Sequence, residues 1–345
     1  MRLKLRSSTI HRSVLQLFAA TLALFMIFPL TNSPCFAIEK KEQKTEERML
    51  VPLGKPFGVR FYTKGVMVYK VKPESTAFKA GILAGDLIES VNGEAVEDGP
   101  AFLKKVTEQQ GHSCKLGIRR KGKSIVIALP SFRAEEESLG IYLRDSLAGI
   151  GTFTFYDPQS GLFAALGHGI CDSHSGTVLP LLRGTISDVR ITSVNKGQIG
   201  APGQLRGLFC PGNKGRILKN CETGIYGQPD DPALFNGKAL PVASSNEIEK
   251  GVANILCSIN EEEPCTYRVE IEEILSLDEN GKNYLIHVTD PLLLEQTGGI
   301  VQGISGSPIL QNGKIVGAVT HVLVDDPTRG YGIYIGNMLK NMPSN

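Results

Sequence analysis

Gly303-Ile304-Ser305-Gly306-Ser307-Pro308-Ile309-Leu310 is the most informative stretch of this 345-residue chain. It runs into the dipeptide Asn312-Gly313 and then the apolar run Ile315-Val316-Gly317-Ala318-Val319-Thr320. Asn-Gly between two apolar runs marks a two-residue hairpin turn. Gly303 and Gly306 let the backbone turn without a Cβ clash, so the Ser305 hydroxyl stands exposed at the head of a hairpin. A Ser between glycines arises easily by chance in a chain with 38 of them. Pro308 and the hairpin that follows raise this one above an ordinary turn.

The surroundings of that loop read as β-structure. Gly151–Tyr156, Leu162–Leu166, Thr185–Val194, Tyr267–Ile274 and Tyr284–Val288 are strand candidates separated by Gly, Pro and Asn clusters. Residues 196–241 are rich in Gly and Pro and poor in periodicity, and are expected as loops over the site. The expected domain is 139–345. Composition agrees with a mainly β fold: 41% of residues are apolar, Gly is abundant and Trp is absent. Lys and Arg number 37 against 35 Asp and Glu, so the net charge of +2 gives no electrostatic case for nucleic acid.

A second compact unit is expected over 50–132. Gly58–Tyr62 and Gly65–Val71 read as strands, and Ser75–Ala80 as a short helix capped by Ser75 and ended by Gly81. Asp86–Val91 is a strand closed by Asn92-Gly93. Phe102, Leu103 and Val106 have helical spacing within 100–110, and Lys121-Gly122 joins a hairpin. This order, with Ala80-Gly81-Ile82-Leu83-Ala84-Gly85-Asp86-Leu87-Ile88 and Val91-Asn92-Gly93, resembles bacterial PDZ domains. The resemblance implies a peptide-binding groove. Phe57-Gly58-Val59 matches the carboxylate-binding loop, whose N–H groups form a small nest, and the strand after it would pair with an added peptide. A PDZ unit that only packs on its own catalytic domain is the plainer alternative.

The N-terminus carries a targeting pattern. Arg2, Lys4, Arg6 and Arg12 precede an apolar run from Val14 to Leu30, and Cys35-Phe36-Ala37 offers a cleavage site. Residues 1–37 are therefore a signal peptide or membrane anchor, the two being left open, and 38–49 a polar linker. Export permits disulfides. Of the cysteines at 35, 114, 171, 210, 221, 257 and 265, the pairs Cys210–Cys221 and Cys257–Cys265 would close short loops, and free thiols are the alternative.

The Ser305 loop and its hairpin resemble the nucleophile loop of chymotrypsin-like proteases. That chemistry requires the N–H groups of Gly303 and Ser305 to converge on an oxyanion, and a base to activate a weak nucleophile. His168, at the end of Ala165-Leu166-Gly167-His168-Gly169-Ile170, is the leading base; His174, His287 and His321 are its rivals. Asp290 is the leading carboxylate, fifteen residues before Ser305, with Asp172 and Asp188 as alternatives. His168, Cys171, Asp172 and His174 are close enough for zinc, but no second ligand cluster stands at metal spacing, so neither metal nor cofactor is expected.

Taken whole, the chain resembles the SpoIVB peptidase family, most clearly in Leu139-Gly140-Ile141, Asp145–Gly151, Ala165–Asp172 and Thr289–Tyr331. The resemblance implies a PDZ domain followed by a double-barrel serine endopeptidase with the triad His168, Asp290 and Ser305. It implies export across the forespore membrane during sporulation and self-cleavage near the N-terminus. It also implies cleavage of a membrane-embedded regulatory complex that controls a sigma factor. The extra cysteines fall outside the family pattern. A non-catalytic PDZ adaptor with a degenerate protease domain, and a hydrolase pairing Ser with Lys, are the competing readings. No Lys lies in a motif that recommends the latter.

Overall fold

The computed structural model describes residues 48–109, 111–131, 139–173, 175–260, 263–277 and 281–344. The expected signal or anchor segment 1–37, nearly all of the linker, the polar stretch 133–138 and His174 lie outside them. No helix among the described residues is long and apolar enough to cross a membrane.

The first strands are β1 (Met49–Pro52), β2 (Pro56–Val71), β3 (Leu87–Val91), β4 (Glu94–Ala95), β5 (Cys114–Arg120), β6 (Lys123–Leu129) and β7 (Ile141–Asp157). Helices α1 (Thr76–Lys79) and α2 (Gly99–Glu108) lie between them. Then come β8 (Leu162–Ala165), β9 (Leu181–Ser187), β10 (Val189–Asn195), β11 (Gln204–Phe209), β12 (Gly215–Cys221), β13 (Gly224–Pro229) and β14 (Leu240–Pro241). The last part holds β15 (Gly251–Cys257), β16 (Cys265–Ile274), β17 (Tyr284–Val288), α3 (Pro291–Thr297), β18 (Pro308–Gln311), β19 (Lys314–Leu323), β20 (Asp326–Tyr334) and α4 (Ile335–Lys340).

The architecture is mainly β, with two six-stranded barrels and a PDZ-like unit. One barrel runs β7-β8-β13-β12-β9-β2 and closes through the β2–β7 pairing; the other is β15-β16-β17-β20-β19-β18. Its interior is filled by side chains such as Ile255, Val269, Ile286 and Ile309, all fully buried.

The two expected domains do not part where the sequence suggested. Strand β2 is continuous. Its first half, from Pro56, pairs with β7 and with β9 inside the first barrel, while Val66 and Met67 pair with β3 of the PDZ-like unit. Strand β7 is shared in the same way: Ile141–Arg144 completes the PDZ-like sheet against Met67–Val71, and Gly149–Thr152 pairs with barrel residues Pro56–Val59. The PDZ-like unit is thus inserted within the first barrel rather than set before it. Gly65 lies at the changeover, with φ +101° and no room for a side chain, since a Cβ would stand 2.7 Å from the Ile88 carbonyl oxygen.

This overturns one expectation. Phe57, Gly58 and Val59 are not a carboxylate-binding loop. They lie mid-strand in the barrel, where Gly58 is opposite Ile150 on one side and Ser187 on the other. Phe57 is buried and stacks on Phe153 at 4.2 Å. A strand paired on both edges has no backbone groups to offer a peptide. The Gly-Val-x-Phe pattern reads alike in an edge strand and a barrel strand, which is why the sequence did not separate them.

Several local readings do hold. Ser75 Oγ accepts from Phe78 N at 3.2 Å and caps α1, and Asp98 caps α2 through Ala101 N at 2.8 Å. The PDZ-like core is built on Val66, Val68, Ile88, Phe102 and Leu116. Beside it, buried Asp86 takes two hydrogen bonds from Arg120, at 2.6 and 2.7 Å, which satisfy a carboxylate that burial alone would penalise. The stretch 196–241 is not mere loop: it supplies β12 and β13 to the barrel and β11 to a hairpin with β10. Its glycines hide the period-2 pattern because they sit where walls touch. A Cβ on Gly227 would lie 2.4 Å from the Phe163 ring.

Because Gly65 holds a left-handed angle against backbone, Gly65→Ala is expected to cost about 1–3 kcal/mol in denaturant unfolding. The shared strands should make barrel and PDZ-like signals disappear in a single transition. Two well-separated transitions would mean that the halves fold independently.

Candidate active site

The Ser305 loop is held by the barrel opposite its own. It joins the end of α3 to β18 in the second barrel, yet it is bonded twice to Thr152 of β7 in the first. Thr152 N donates to Ser305 O at 3.0 Å, and Thr152 Oγ1 donates to Gly303 O at 2.8 Å. A Cβ on Gly306 would stand 2.0 Å from Thr152 O and 2.5 Å from Leu166 N. The two barrels can approach this closely only because residue 306 has no side chain, and its φ of +100° suits glycine as well. Gly306 N donates to Val319 O at 2.8 Å, tying the loop to β19 behind it.

These contacts leave Ser305 half-buried on the wall of a cleft of about 970 Å³ that His168 and His321 also line. Ser305 Oγ donates to Thr320 O at 2.6 Å. Among the described residues, the N–H groups of Gly303 and Ser305 meet no protein acceptor, so the pair expected to hold an oxyanion is unengaged.

His168 reaches the cleft from the end of β8. Leu166 and Gly167 both take positive φ, +70° and +69°, which turns the chain sharply after the strand. Gly167 packs where a Cβ would lie 2.9 Å from Thr320 Cγ2, so the turn is pressed against β19. Nδ1 of His168 lies 2.9 Å from Gly169 O. A carbonyl can only accept, so Nδ1 carries the proton and Nε2 is left as the basic nitrogen. Burial pushes the imidazole below its usual pKa, and the Gly169 carbonyl only partly opposes this. The ring centroid of His321 is 4.7 Å away. His321 is also held low, to about 4, by desolvation first and then by repulsion from His168 and Lys282. Both rings are neutral at pH 7.

The expected carboxylate is elsewhere. Asp290 is the N-cap of α3: its Oδ1 accepts from Leu292 N at 3.0 Å and Leu293 N at 3.1 Å, and its Oδ2 from Arg268 N at 3.2 Å. The structure brings Ser305, Gly303 and His168 to one cleft, but Asp290 is not on its wall. The Asp-Pro start of an apolar run explains the position, since Asp caps helices and Pro favours the first helical site. Of the alternatives, Asp172 closes the turn 172–176 through Ser175 N at 2.8 Å, and Asp188 pairs with Lys214 at 3.3 Å. His287 lies on an outer face beside Glu272, at 3.3 Å. Thr152 and Thr320 were not singled out from sequence.

A family model described as SpoIVB peptidase S55 matches residues 135–339. The chain belongs to the SpoIVB peptidase family. A PDZ domain model matches residues 42–130. The S55 match takes in the nucleophile loop, His168 and both barrels after β6. The chain spans only about one seventh of the length of the curated relatives it matches: the periplasmic serine endoprotease DegP of Salmonella typhimurium is 42% identical over 67 residues, 19% of this chain and 14% of its own. The pH-dependent periplasmic endoprotease DegQ of Escherichia coli is 35% identical over 65 residues, again 14% of its length. Among solved structures, the active form of the Rv3671c protease from M. tuberculosis is similar at 13% identity and a TM-score of 0.31, over 57% of this chain and 73% of that one. Human heparin binding protein follows at 14% identity and 0.28, over 57% and 87%.

Two substitutions test this geometry. Thr152→Val keeps shape but removes the donor to Gly303 O; it is expected to cost about 1–3 kcal/mol of stability and to slow reaction of Ser305 with a fluorophosphonate. Unchanged labelling would mean the loop holds itself. Asp290→Asn retains a capping acceptor, so labelling should stay within about tenfold of wild type. A loss near ~10⁴, the figure for a triad carboxylate, would return Asp290 to the imidazole.

Proposed function

We propose that the chain is a serine endopeptidase working by acyl transfer, with Ser305 as nucleophile and His168 as base. The observation that carries this is the shared cleft: a half-buried hydroxyl on its wall, a neutral imidazole with Nε2 as the basic nitrogen, and two N–H groups on the same loop that meet no acceptor among the described residues. On substrate entry the Ser305 hydroxyl turns from Thr320 O toward His168 Nε2, which takes its proton as Oγ attacks the scissile carbonyl. The N–H groups of Gly303 and Ser305 hold the oxyanion. The imidazolium then protonates the leaving amine, and water repeats the cycle on the acyl-enzyme. Gly169 O fixes the His168 tautomer, the part that the family resemblance gives to Asp290. Ile300, Val301, Val322 and Val324 on the cleft walls favour apolar substrate side chains.

Family membership supports the wider setting of the proposal. The chain is exported across the forespore membrane and stays anchored or is released. It processes itself near its N-terminus and cleaves a membrane-associated regulatory complex that controls a sigma factor during sporulation. A peptide ligand for the PDZ unit, if strand-added, meets the outer edge of β7 at 141–147 rather than Phe57–Val59, because among the described residues β7 is paired there on one side only.

Fluorophosphonate labelling of wild type against Ser305→Ala tests the assignment; labelling that survives in the alanine variant refutes it. The pH profile tests the base. His168 acts only when neutral, and burial lowers its pKa from 6.5, so the rate should persist below pH 6.5 and fall only as pH drops through the lower value. An acid limb above 6.5 would exclude a buried His168 as the base.

A further inference from the structure

Cys257 and Cys265 are the last register pair of the β15–β16 ladder, directly opposite one another. Their neighbours two residues in, Ile255 and Tyr267, are opposed and buried, so period 2 puts both cysteine side chains on that same face of the ladder, at its end, where Cys257 is covered and Cys265 is open to solvent. Directly opposed residues of an antiparallel pair have Cα atoms about 4.5–5.5 Å apart, inside the ~4.4–6.8 Å that a disulfide spans. Both are free thiols in the structure. The other pair suggested by spacing has no such placement: Cys210 follows β11 and Cys221 ends β12, strands that are not neighbours in a sheet.

We propose that Cys257 and Cys265 form a disulfide with an ordered, two-step chemistry, taking a small disulfide such as oxidised glutathione as oxidant. The two thiols differ in access. Cys265 is exposed, its Sγ 3.6 Å from Glu263 O, whereas Cys257 is fully buried. Cys257 also shares a hydrogen bond with the Ser307 hydroxyl, two residues beyond Ser305, and burial pushes its pKa up to about 12. Cys265 therefore reacts first. Its thiolate attacks one sulfur of glutathione disulfide and expels one glutathione thiolate. Cys257 then attacks the Cys265 sulfur, its proton passing to the second glutathione thiolate as that group leaves. Two protein thiols are oxidised to one disulfide and one glutathione disulfide is reduced to two glutathiones. The product ties the end of the β15–β16 hairpin beneath the nucleophile loop.

The test equilibrates the full chain in glutathione buffers of rising disulfide content, quenches with acid, alkylates, and digests at Glu261–Glu263, which separates the two cysteines. Mass spectrometry should find the Cys257 and Cys265 peptides joined, and parted by dithiothreitol. In Cys257→Ala the reaction should stop at glutathione on Cys265; in Cys265→Ala, Cys257 should stay reduced and alkylate only after unfolding. Stable glutathione on wild-type Cys265 with Cys257 still reduced would overturn the proposal, as would a link from either residue to a different cysteine.

Discussion

Everything at the cleft depends on how closely Thr152 approaches residue 306. The hydrogen bonds from Thr152 N and Oγ1 reach across from one barrel to the loop of the other, and the Thr152 carbonyl occupies the space of a missing Cβ. Remove that approach and His168, delivered by the neighbouring strand β8, loses its distance to Ser305 together with the loop's shape. The interface between the barrels is thus no passive seam. It is where hydrogen bonds from Thr152 supplement the side-chain packing that holds each barrel internally, and such buried bonds have a narrow range of geometry.

The electrostatics of the two imidazoles follow from burial. His168 and His321 face each other at 4.7 Å, and each is kept neutral by burial, His321 also by its neighbour. A neutral resting imidazole suits a base, which must accept a proton during the reaction and then give it up. Two charged groups of the second barrel are engaged away from the cleft: Arg329 is clamped by Glu272 and Asp326 on the surface, and Asp290 is used by a helix end.

The nucleophile loop was legible because its meaning is local. Gly303, Gly306, Pro308 and Asn312-Gly313 each constrain their own backbone, so chain order alone conveys the shape. Caps such as Ser75 were readable for the same reason. What failed was long-range. Alternation in Gly58–Tyr62 and Gly65–Val71 identifies strands but says nothing of which sheet they join, so a single strand serving two units was read as two strands in one. Asp290 was named for its chain position and the family resemblance; Thr289-Asp290-Pro291 also carries a helix-start signal, and the structure uses Asp290 as that cap. Thr152 could not be found at all, because its partner lies about one hundred and fifty residues away, and only the fold brings Gly303 O within 2.8 Å of it.

The continuity of β2 and β7 bears on how the chain assembles. Their ladder runs from Val71 opposite Ile141 out to Pro56 opposite Thr152, so the inserted unit sits at the closed end of a long hairpin. Its own contacts are made between residues near in sequence, the kind that form early. Once 66–144 has condensed, the remaining halves of β2 and β7 start as neighbours, and the barrel is spared the entropy of bringing distant segments together. The ladder then zips outward and ends at Thr152, the residue that receives the nucleophile loop. The insert acts as a clasp fastened first, and the catalytic cleft is the last place the fastening reaches.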